Sequence, residues 1–372
     1  MSPTPRAAGL VALAALSGLV VPPALSGLAI VCILVVAAFD AGRVRRSPEL
    51  ERELAHALAR GAPAPFSVEH RDGGALRVRQ PNVPALAFDP QEGDGAVRGT
   101  VLPVLRGRHE VPAPATVATG PLGLGRWFHS RGAAQEVLVY PDLPSARRIV
   151  HRLREGRFRE PGRLSRGPLG LGTEFESVRD YVPDDDFRQV NWRATARVGR
   201  PMTNQYRIEQ DRDVVCVVDS GRLMGAPLGA QKTRLDVALD ATVAVALVAD
   251  EVGDRCGTLA FDGRIRRDLR PRRAGARRVI EALFDLEPTE TDSDYELAFR
   301  TVGGGKRSLV LMFTDLVDEP AARSLITATP VLARRHFLVV ASAADPDLDE
   351  LANAAPAGPV EAARRTVARE VL

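Results

Sequence analysis

The sequence predicts an α/β fold: a doubly wound parallel sheet in the C-terminal half, preceded by a β-sandwich domain and an N-terminal transmembrane hairpin. Residues 7–38 contain no charged side chain. Residues 65–140 contain short apolar runs separated by Gly, Pro and Asp, which is typical of an all-β domain. Beyond Asp213, continuous apolar runs alternate with stretches of helical apolar spacing. We therefore expect four regions in the 372 residues: 1–46, 47–165, 166–210 and 211–372.

The N-terminal apolar residues predict two short membrane-spanning helices. Pro22 and Pro23 divide them, because proline removes a backbone donor and clashes with the preceding turn of a helix. Each half is short for a hydrocarbon core about 30 Å thick, so one bent span remains an alternative to a hairpin of two spans. Arginines flank the runs at positions 6, 43, 45 and 46 and favour a hairpin with both ends in the cytoplasm. A cleaved signal peptide competes with this interpretation, but the second apolar run would still anchor the product.

A short amphipathic helix followed by the β-sandwich is expected in residues 47–165. Ser47 is a suitable N-cap and Pro48 suits the first helical position, so residues 48–60 are predicted to be helical. Short apolar runs at 97–105 and 137–140 then predict strands. Glycine-containing turns lie between such strands and carry no recognisable chemistry, so we interpret this domain as a spacer or a binding module.

The doubly wound sheet is predicted from the residues that follow Asp213. Its apolar runs lack polar alternation, as expected for parallel strands buried on both faces. Strands are predicted at 214–218, 257–261, 309–313 and 337–341, with a further strand ending at Leu269. Helices are predicted at 235–252, 279–286, 320–328, 331–335 and 361–372. Because strands and helices alternate, helices are expected on both faces of the sheet.

Residues 172–197 are the most distinctive segment, because opposite charges are interleaved there with large aromatic side chains. A flexible linker would lack the aromatics, and a core strand would lack the charges. Arginine pairs with carboxylates and stacks on aromatic rings, so a fixed local cluster is expected. We expect its members Arg179, Asp186, Arg188 and Arg197 to pair around Tyr181 and Trp192 and to dock the segment onto the sheet that follows. The alternative is a solvated charged loop, since exposed ion pairs contribute little stability.

The order and spacing of residues in this segment form a pattern. The residues are Gly172, Glu174, Phe175, Arg179, Tyr181, Pro183, Asp185, Asp186, Arg188, Trp192, Ala196 and Arg197. The pattern resembles the signature of domain-of-unknown-function family 58, a bacterial family with G-x-E-F, then R-x-Y-x-P-G-D-D-x-R, then W followed closely by A-R. Asp184 stands where that family usually has glycine. The candidate binding residues are Glu174, Arg179, Tyr181, Asp185, Asp186, Arg188, Trp192 and Arg197, together with Arg222 in the following domain.

The resemblance implies a membrane protein with two N-terminal spans. Proteins of that family are commonly encoded beside MoxR-type AAA+ ATPases, so it also implies a protein partner of that type. The implied role is a non-enzymatic adaptor in ATPase-driven assembly, maturation or envelope stress handling. We accordingly expect a multi-pass protein of the cytoplasmic membrane with its soluble domains facing the cytoplasm, and an outward-facing envelope binding protein is an alternative.

The carboxyl edge of the predicted sheet carries the candidate metal ligands. In such folds, ligands bind beyond the carboxyl ends of the strands, where Asp219, Ser293 and Asp315 are expected. The arrangement resembles the metal-dependent adhesion site of von Willebrand factor A domains, which uses D-x-S-x-S, a Thr and an Asp. Oxygen ligands of this kind suit magnesium.

This metal site is expected to be degenerate. Gly221 and Leu223 stand at the two hydroxyl positions, and Arg222 adds a positive charge that disfavours a divalent cation. We therefore predict that the three candidate ligands bind no metal and that the protein needs no cofactor. In the alternative roles, Asp219 pairs with Arg222 or hydrogen-bonds the loops, and Ser293 caps the helix that follows it.

Enzymatic function is not expected. The sequence has no nucleophile elbow, HExxH, Walker loop or dinucleotide fingerprint. Residues 303–306 resemble a phosphate loop but precede a strand, so we interpret them as a turn. A hydrolase that uses the carboxylates at 184–186 is an alternative, but Arg179, Arg188 and Arg197 would keep those carboxylates ionised. The net charge of +3 and the lack of a basic stripe with stacking aromatics argue against nucleic-acid binding.

Overall fold

The computed structural model divides at Tyr140 into an N-terminal unit, Met1–Tyr140, and a C-terminal unit, Pro141–Leu372. The structure describes residues 1–70, 76–130, 132–155, 169–182, 185, 187–207, 212–229, 231–315 and 319–371. Within these ranges, the side chains of 169–176, 188, 205–207, 319–321 and 371 lie outside the description.

Two apolar helices begin the N-terminal unit: α1, Pro5–Ser17, and α2, Pro23–Arg43. They pack against each other, and the break between them falls at the two prolines, as predicted. In the described part of the chain, α2 alone is long and apolar enough to cross a membrane, while α1 is a shorter apolar helix. The structure therefore contains one candidate membrane span near the N-terminus.

Asp40 joins the end of α2 to a glycine-containing turn, residues 120–124. Its side chain is fully buried, and its two oxygens accept three backbone N–H groups at 2.9–3.1 Å. The three donors are Leu122, Leu124 and Gly125. The Thr4 hydroxyl, just before α1, donates to the Gly123 carbonyl at 2.6 Å. The turn, for which the sequence indicated no role, therefore holds the ends of both apolar helices.

The rest of the N-terminal unit is all-β, as predicted. Its strands are β1 Ser2–Pro3, β2 Leu50–Leu54, β3 Ala57–Ala59, β4 Ala64–His70, β5 Leu76–Arg79, β6 Leu86–Asp89, β7 Glu92–Asp94, β8 Ala96–Pro103, β9 Gly107–Val111, β10 Ala115–Thr119, β11 Gly125–His129 and β12 Gln135–Tyr140. They form three sheets with the orders β1-β11-β10-β5-β7, β3-β12-β9 and β2-β4-β8-β6. All three sheets contribute to one core, in which Phe66 and Phe88 meet edge-to-face with ring centroids 4.9 Å apart.

The helix predicted over residues 48–60 is wrong, because this stretch forms β2 and β3. Leu50, Arg52 and Leu54 are partly buried, while the two glutamates between them are exposed, so the pattern has a period of two. The two leucines pack against the core, and β2 pairs antiparallel with β4. The Ser-Pro start favours a helix locally, but burial against the sheet outweighs that preference.

The C-terminal unit combines a two-stranded arm with a five-stranded sheet. Its helices are α3 Leu143–Arg154, α4 Trp192–Val198, α5 Arg234–Val252, α6 Ala276–Leu283, α7 Tyr295–Gly303, α8 Glu319–Ala333, α9 Pro346–Asn353 and α10 Pro359–Val371, with 3-10 helices at Phe187–Gln189 and Arg222–Gly225. Its strands are β13 Leu169–Asp180, β14 Met202–Arg207, β15 Asp213–Asp219, β16 Pro227–Leu228, β17 Lys232–Thr233, β18 Arg255–Phe261, β19 Ile265–Arg272, β20 Ser308–Phe313 and β21 Phe337–Ala341.

The predicted doubly wound arrangement is confirmed. The sheet order is β19-β18-β15-β20-β21, with four parallel strands and an antiparallel edge strand, β19. Helices α5 and α6 cover the face that includes Cys216, and α7 and α8 cover the face that includes Val217. Because the strand order reverses at β15, the connections on its two sides run to opposite faces and leave a crevice at its carboxyl end.

The helices predicted at 320–328 and 331–335 are one helix, α8, which contains Pro330. Leu325 and Leu332 are buried in the same core on either side of this proline, so packing keeps the helix continuous. The sequence also did not predict α3, α4, α9 or the strands of the arm.

Candidate interaction site at the sheet edge and the signature turn

Three neighbouring parallel strands each lead into a buried aspartate at the carboxyl edge of the sheet. Asp219 is the last residue of β15, Asp262 follows β18, and Asp315 lies two residues after β20. Their exposed fractions are 1%, 2% and 5%. A buried carboxylate must be paired or hydrogen-bonded, so the partners of these three groups determine what the edge can bind.

Asp219 has hydrogen-bond donors on both carboxylate oxygens. Oδ1 accepts the Gly221 N–H at 2.8 Å and the Ser293 hydroxyl at 2.5 Å. Oδ2 accepts the Thr314 hydroxyl at 2.7 Å and the Tyr295 hydroxyl at 3.2 Å. Burial, together with the nearby Asp219 charge, raises the pKa of the Tyr295 phenol, so it stays protonated as a donor. The chain itself therefore supplies four donors to this carboxylate.

Gly221 is required by the position of Ser293. A Cβ atom at residue 221 would lie 2.1 Å from the Ser293 Oγ and 2.9 Å from the Thr291 carbonyl oxygen. The Ser293 hydroxyl thus occupies the space that a serine at the first hydroxyl position would need. Ser220 points away, as its strand position suggests, and donates to the Phe261 carbonyl at 2.9 Å.

The expectation that Ser293 caps the next helix is wrong. Asp294 caps α7, because its side chain accepts the Leu297 N–H at 2.9 Å. This assignment leaves the Ser293 hydroxyl for Asp219 and explains why two polar residues stand side by side before the helix.

Asp262 is held by an arginine and by a loop. Its side chain accepts Arg266 Nη1 at 2.7 Å, Arg264 N–H at 2.9 Å and the Thr289 hydroxyl at 3.1 Å. Burial acts to raise the pKa of Asp262, but these hydrogen bonds outweigh it and hold the pKa below its usual range. Sequence reasoning missed this residue, although it follows a buried apolar run just as Asp219 does.

Asp315 forms an ion pair with Arg234, which is the first residue of α5. Arg234 is 8% exposed, and its Nη2 also lies 3.8 Å from Asp345 Oδ2. A capping box between Thr233 and Asp236 fixes the start of this helix. A guanidinium group therefore faces the carboxylate predicted as a metal ligand. The available signal was an arginine, rather than an apolar residue, at the first position of α5.

The donor set at this edge does not fit a divalent cation. Asp219 and Ser293 come together, but the serine donates its proton to the carboxylate, and Asp315 faces Arg234. Gly221 provides no side-chain oxygen, and magnesium requires a nearly complete octahedron of oxygens. Over the described ranges, no group of three or more His, Cys, Asp or Glu side chains is arranged to hold a metal ion.

Arg222 pairs with Asp292 at 3.1 Å, and not with Asp219. Both side chains of this pair are exposed, so it stabilises the fold little and leaves a charged pair at the rim of the crevice. Of the alternatives for Asp219, hydrogen bonding to the loops is the one that the structure shows.

The signature segment forms a braced turn at the end of the arm formed by β13 and β14. The Arg179 guanidinium donates to both oxygens of Asp185, at 2.8 and 2.5 Å, and Asp185 also accepts the Val182 N–H at 2.9 Å. The bond from Arg179 holds the pKa of Asp185 below its usual range. The Tyr181 hydroxyl donates to the Asp185 carbonyl at 3.2 Å. These residues therefore form a fixed cluster around Asp185.

Two aromatic side chains of the segment, Phe187 and Trp192, face outward. Trp192, the first residue of α4, is 61% exposed, and Phe187 is 67% exposed. Their rings meet edge-to-face with centroids 5.4 Å apart. Trp192 is therefore not enclosed by the cluster, since α4 has only seven residues and buries none of them.

Of the remaining candidate residues of the cluster, the structure describes the side chain of one. Arg197 is exposed on α4. Asp186 lies outside the described residues, as do the side chains of Glu174 and Arg188.

A comparison with known families matches the C-terminal unit. The sequence model of the family described as "Protein of unknown function DUF58" matches residues 177–367, more than half of the chain. Three uncharacterized proteins, one from Mycobacterium bovis and two from strains of Mycobacterium tuberculosis, are each 30% identical over 94 residues. The matched stretch covers 25% of this chain and 29% of each relative. The chain thus spans less than a third of the length of these relatives.

Proposed function

The chain belongs to the family described as Protein of unknown function DUF58, and we propose that it is a non-enzymatic, membrane-anchored adaptor that captures a protein partner through its C-terminal unit. The observation that carries this proposal is the pair of exposed aromatic rings, Phe187 and Trp192, on a braced turn. We call these two residues the aromatic pair.

The aromatic pair has the properties of a recognition site. Trp and Arg are enriched among residues that dominate binding energy, and Arg193 and Arg197 are exposed on the same short helix as Trp192. The Arg179–Asp185 brace fixes the turn before the pair, and Asn191 caps α4 by accepting the Ala194 N–H at 2.9 Å. A surface fixed before binding loses less conformational entropy when a partner docks.

The carboxyl edge of the sheet supports a binding role over a catalytic one. Each of its three buried aspartates is already engaged by hydroxyls, backbone N–H groups or arginines. We propose that the sheet is a degenerate von Willebrand factor A-like domain. The strand order, the antiparallel edge strand and the aspartate that ends β15 support this assignment. Arg222, at the rim, would meet a partner carboxylate in place of a metal ion.

The partner is proposed to be a MoxR-type AAA+ ATPase, as the family resemblance implies. The test is affinity purification of the tagged full-length chain from detergent-solubilised membranes, followed by identification of the proteins that co-purify. An ATPase of this type should be enriched over a control purification, and capture should weaken in Arg222→Ala. Enrichment of envelope polymers or outer-surface proteins, with no ATPase, would support the outward-facing alternative.

Trp192→Ala should reduce partner capture without destabilising the fold. Because the ring is mostly exposed, its loss should change the free energy of unfolding by less than about 1 kcal/mol. Loss of an interface hot spot should weaken binding by about 2 kcal/mol or more, roughly thirtyfold. Phe187→Ala should have the same effect. The control is Phe128→Ala, which removes an aromatic side chain of the N-terminal unit that is also mostly exposed, and it should leave capture intact. A large fall in melting temperature for Trp192→Ala would show that the ring is structural.

The proposed topology places both soluble units in the cytoplasm, with α1 and α2 as a membrane hairpin. It rests on the arginines that flank the two apolar runs. A reporter enzyme that is active only in the cytoplasm should be active when it is fused after Leu372. Activity of an exported phosphatase at the same position would reverse the assignment.

A further inference from the structure

The last strand of the parallel sheet, β21, lies at an open edge although its sequence is that of a central strand. In the described part of the chain it pairs with β20 alone. Its five residues, FLVVA, are all apolar, which is typical of strands that have a neighbour on each side and helices on both faces. Phe337 is nevertheless 67% exposed, Val339 38% and Val340 39%. An edge strand of this kind offers unpaired N–H and C=O groups to another strand.

The opposite edge of the same sheet is protected against such pairing. Its strand, β19, contains four arginines, an aspartate and a proline in eight residues. Charged side chains and proline keep other strands away from a sheet edge, because a charge is costly to cover and proline has no N–H group to donate. Strand β21 contains neither a charge nor a proline, and its register with β20 has no bulge. The sheet is therefore closed to further strands at β19 and open to one at β21.

Charges of opposite sign lie beyond the two ends of β21. Arg334 and Arg335 stand shortly before its amino end, and both are exposed. The first two turns of α9, beyond its carboxyl end, carry the exposed acidic residues Asp347, Asp349 and Glu350. Over the described ranges, none of these five side chains forms an ion pair. The open edge thus has a basic end and an acidic end, with apolar residues between them.

We propose that β21 pairs antiparallel with β21 of a second copy of this chain, so that the two sheets join into one across a two-fold axis. In an antiparallel pair, the amino end of each strand lies beside the carboxyl end of the other strand. The arginines of each copy then face the acidic residues of the other copy. Because the interface is symmetric, this favourable contact forms twice. A parallel arrangement would place like charges together.

The side chains of β21 suit this arrangement. Ala341 packs on the core beneath α5 and α6, and Leu338 packs on the core beneath α7 and α8, so alternate residues point to opposite faces. A two-fold axis perpendicular to the sheet keeps equivalent faces together. With the axis at Val339, Phe337 lies opposite Ala341 of the second copy, and a large side chain meets a small one. Pairing through five residues a side forms a small interface, so we expect dimerisation to depend on concentration.

The first test is sedimentation velocity of the full-length chain in non-ionic detergent over a range of protein concentrations. The parent should form a dimer as its concentration rises. Phe337→Lys places a charge on the open edge and should weaken dimerisation at least about tenfold. Val252→Lys, the control, places the same charge at a position on α5 that is 45% exposed and should dimerise as the parent does. A parent that stays monomeric, or two variants that behave alike, would overturn the proposal.

Charge exchange tests the antiparallel arrangement. Arg334→Glu/Arg335→Glu should not pair with itself, because the introduced carboxylates meet the acidic residues of α9. Asp347→Lys/Glu350→Lys should fail to pair with itself because the introduced cations meet the arginines. An equimolar mixture of the two double variants should form a mixed dimer, since every contact is then between opposite charges. A mixture that stays monomeric, or double variants that each dimerise as the parent does, would contradict the arrangement.

Amide hydrogen exchange tests whether the backbone of β21 forms the contact. Residues 337–341 should exchange more slowly in concentrated parent than in dilute parent or in Phe337→Lys, because some of their N–H groups gain acceptors. Dimerisation without this protection would place the interface elsewhere. Protection that appears only when a different protein is captured would show that the edge takes a strand of that protein instead. Either result would overturn the proposal.

Discussion

Asp219→Ala is expected to destabilise the C-terminal unit by about 3–5 kcal/mol. The substitution removes the common acceptor of four donors at a position that is 1% exposed. Each buried donor left without a partner costs about 1–3 kcal/mol, and the hydroxyls can recover only part of this by turning toward one another. Amide hydrogen exchange of residues 214–218 in the full-length chain should accelerate by about two orders of magnitude or more.

Asp292→Ala is the matched control for this prediction. The substitution removes a carboxylate from the same edge. The Asp292 side chain is 83% exposed, however, and it pairs with the exposed Arg222. Its effect should stay below about 1 kcal/mol. If Asp219 were instead a ligand held ready for a cation, its removal would relieve repulsion between carboxylates and leave the ion-free protein as stable or more stable. Equal exchange rates in the two variants would therefore contradict our account of the edge.

Asp40→Ala is expected to release the apolar helices from the β-rich part of the N-terminal unit. It leaves three backbone N–H groups without their acceptor at the fully buried carboxylate, so a loss of at least about 3 kcal/mol is expected. Limited proteolysis of the detergent-solubilised chain should then cleave within residues 120–124. Asp94→Ala, on the exposed side of β7, should leave that turn protected.

Gly125→Ala tests the same contact by steric means. A Cβ atom at this position would lie 2.1 Å from the Ala37 carbonyl oxygen and 2.6 Å from the Ala41 nitrogen, both in the backbone of α2. The helix cannot yield locally, so α2 should separate from β11. Gly42→Ala, which meets no atom within 4 Å, is the control. An intact, protease-resistant turn in both Asp40→Ala and Gly125→Ala would show that the contact is not needed.

Much of the sheet could be predicted because its strands are buried on both faces. Residues 214–218 are all apolar, which is typical of a strand buried on both faces, and the neighbouring parallel strands are similarly apolar. The prediction of a helix over residues 48–60 was wrong because the spacing of Leu50 and Leu54 fits both a strand, with a period of two, and a helix, with a period of about four. Packing of the two leucines against the sheet, and not the local sequence, determines that this stretch is a strand.

The site could be predicted only in part, because its partners are distant in sequence. Asp219 was identified from its place at a strand end, but its donors include Tyr295 and Thr314, which the fold brings to it. The pairing of Arg234 with Asp315 likewise joins residues 81 positions apart, and no local pattern indicates it. The exposure of Trp192 was not predicted, because composition gives the presence of a cluster but not the direction in which its rings point.

The central claim is that the carboxyl edge of the sheet is satisfied by the chain's own donors and cations and holds no divalent ion. The most direct test is a calorimetric titration of the full-length, detergent-solubilised chain with magnesium. We expect no saturable heat at millimolar concentrations, because magnesium gives up its waters reluctantly and finds no open set of oxygens there. A saturable heat that disappears in Asp219→Asn would contradict the claim and restore a working metal site.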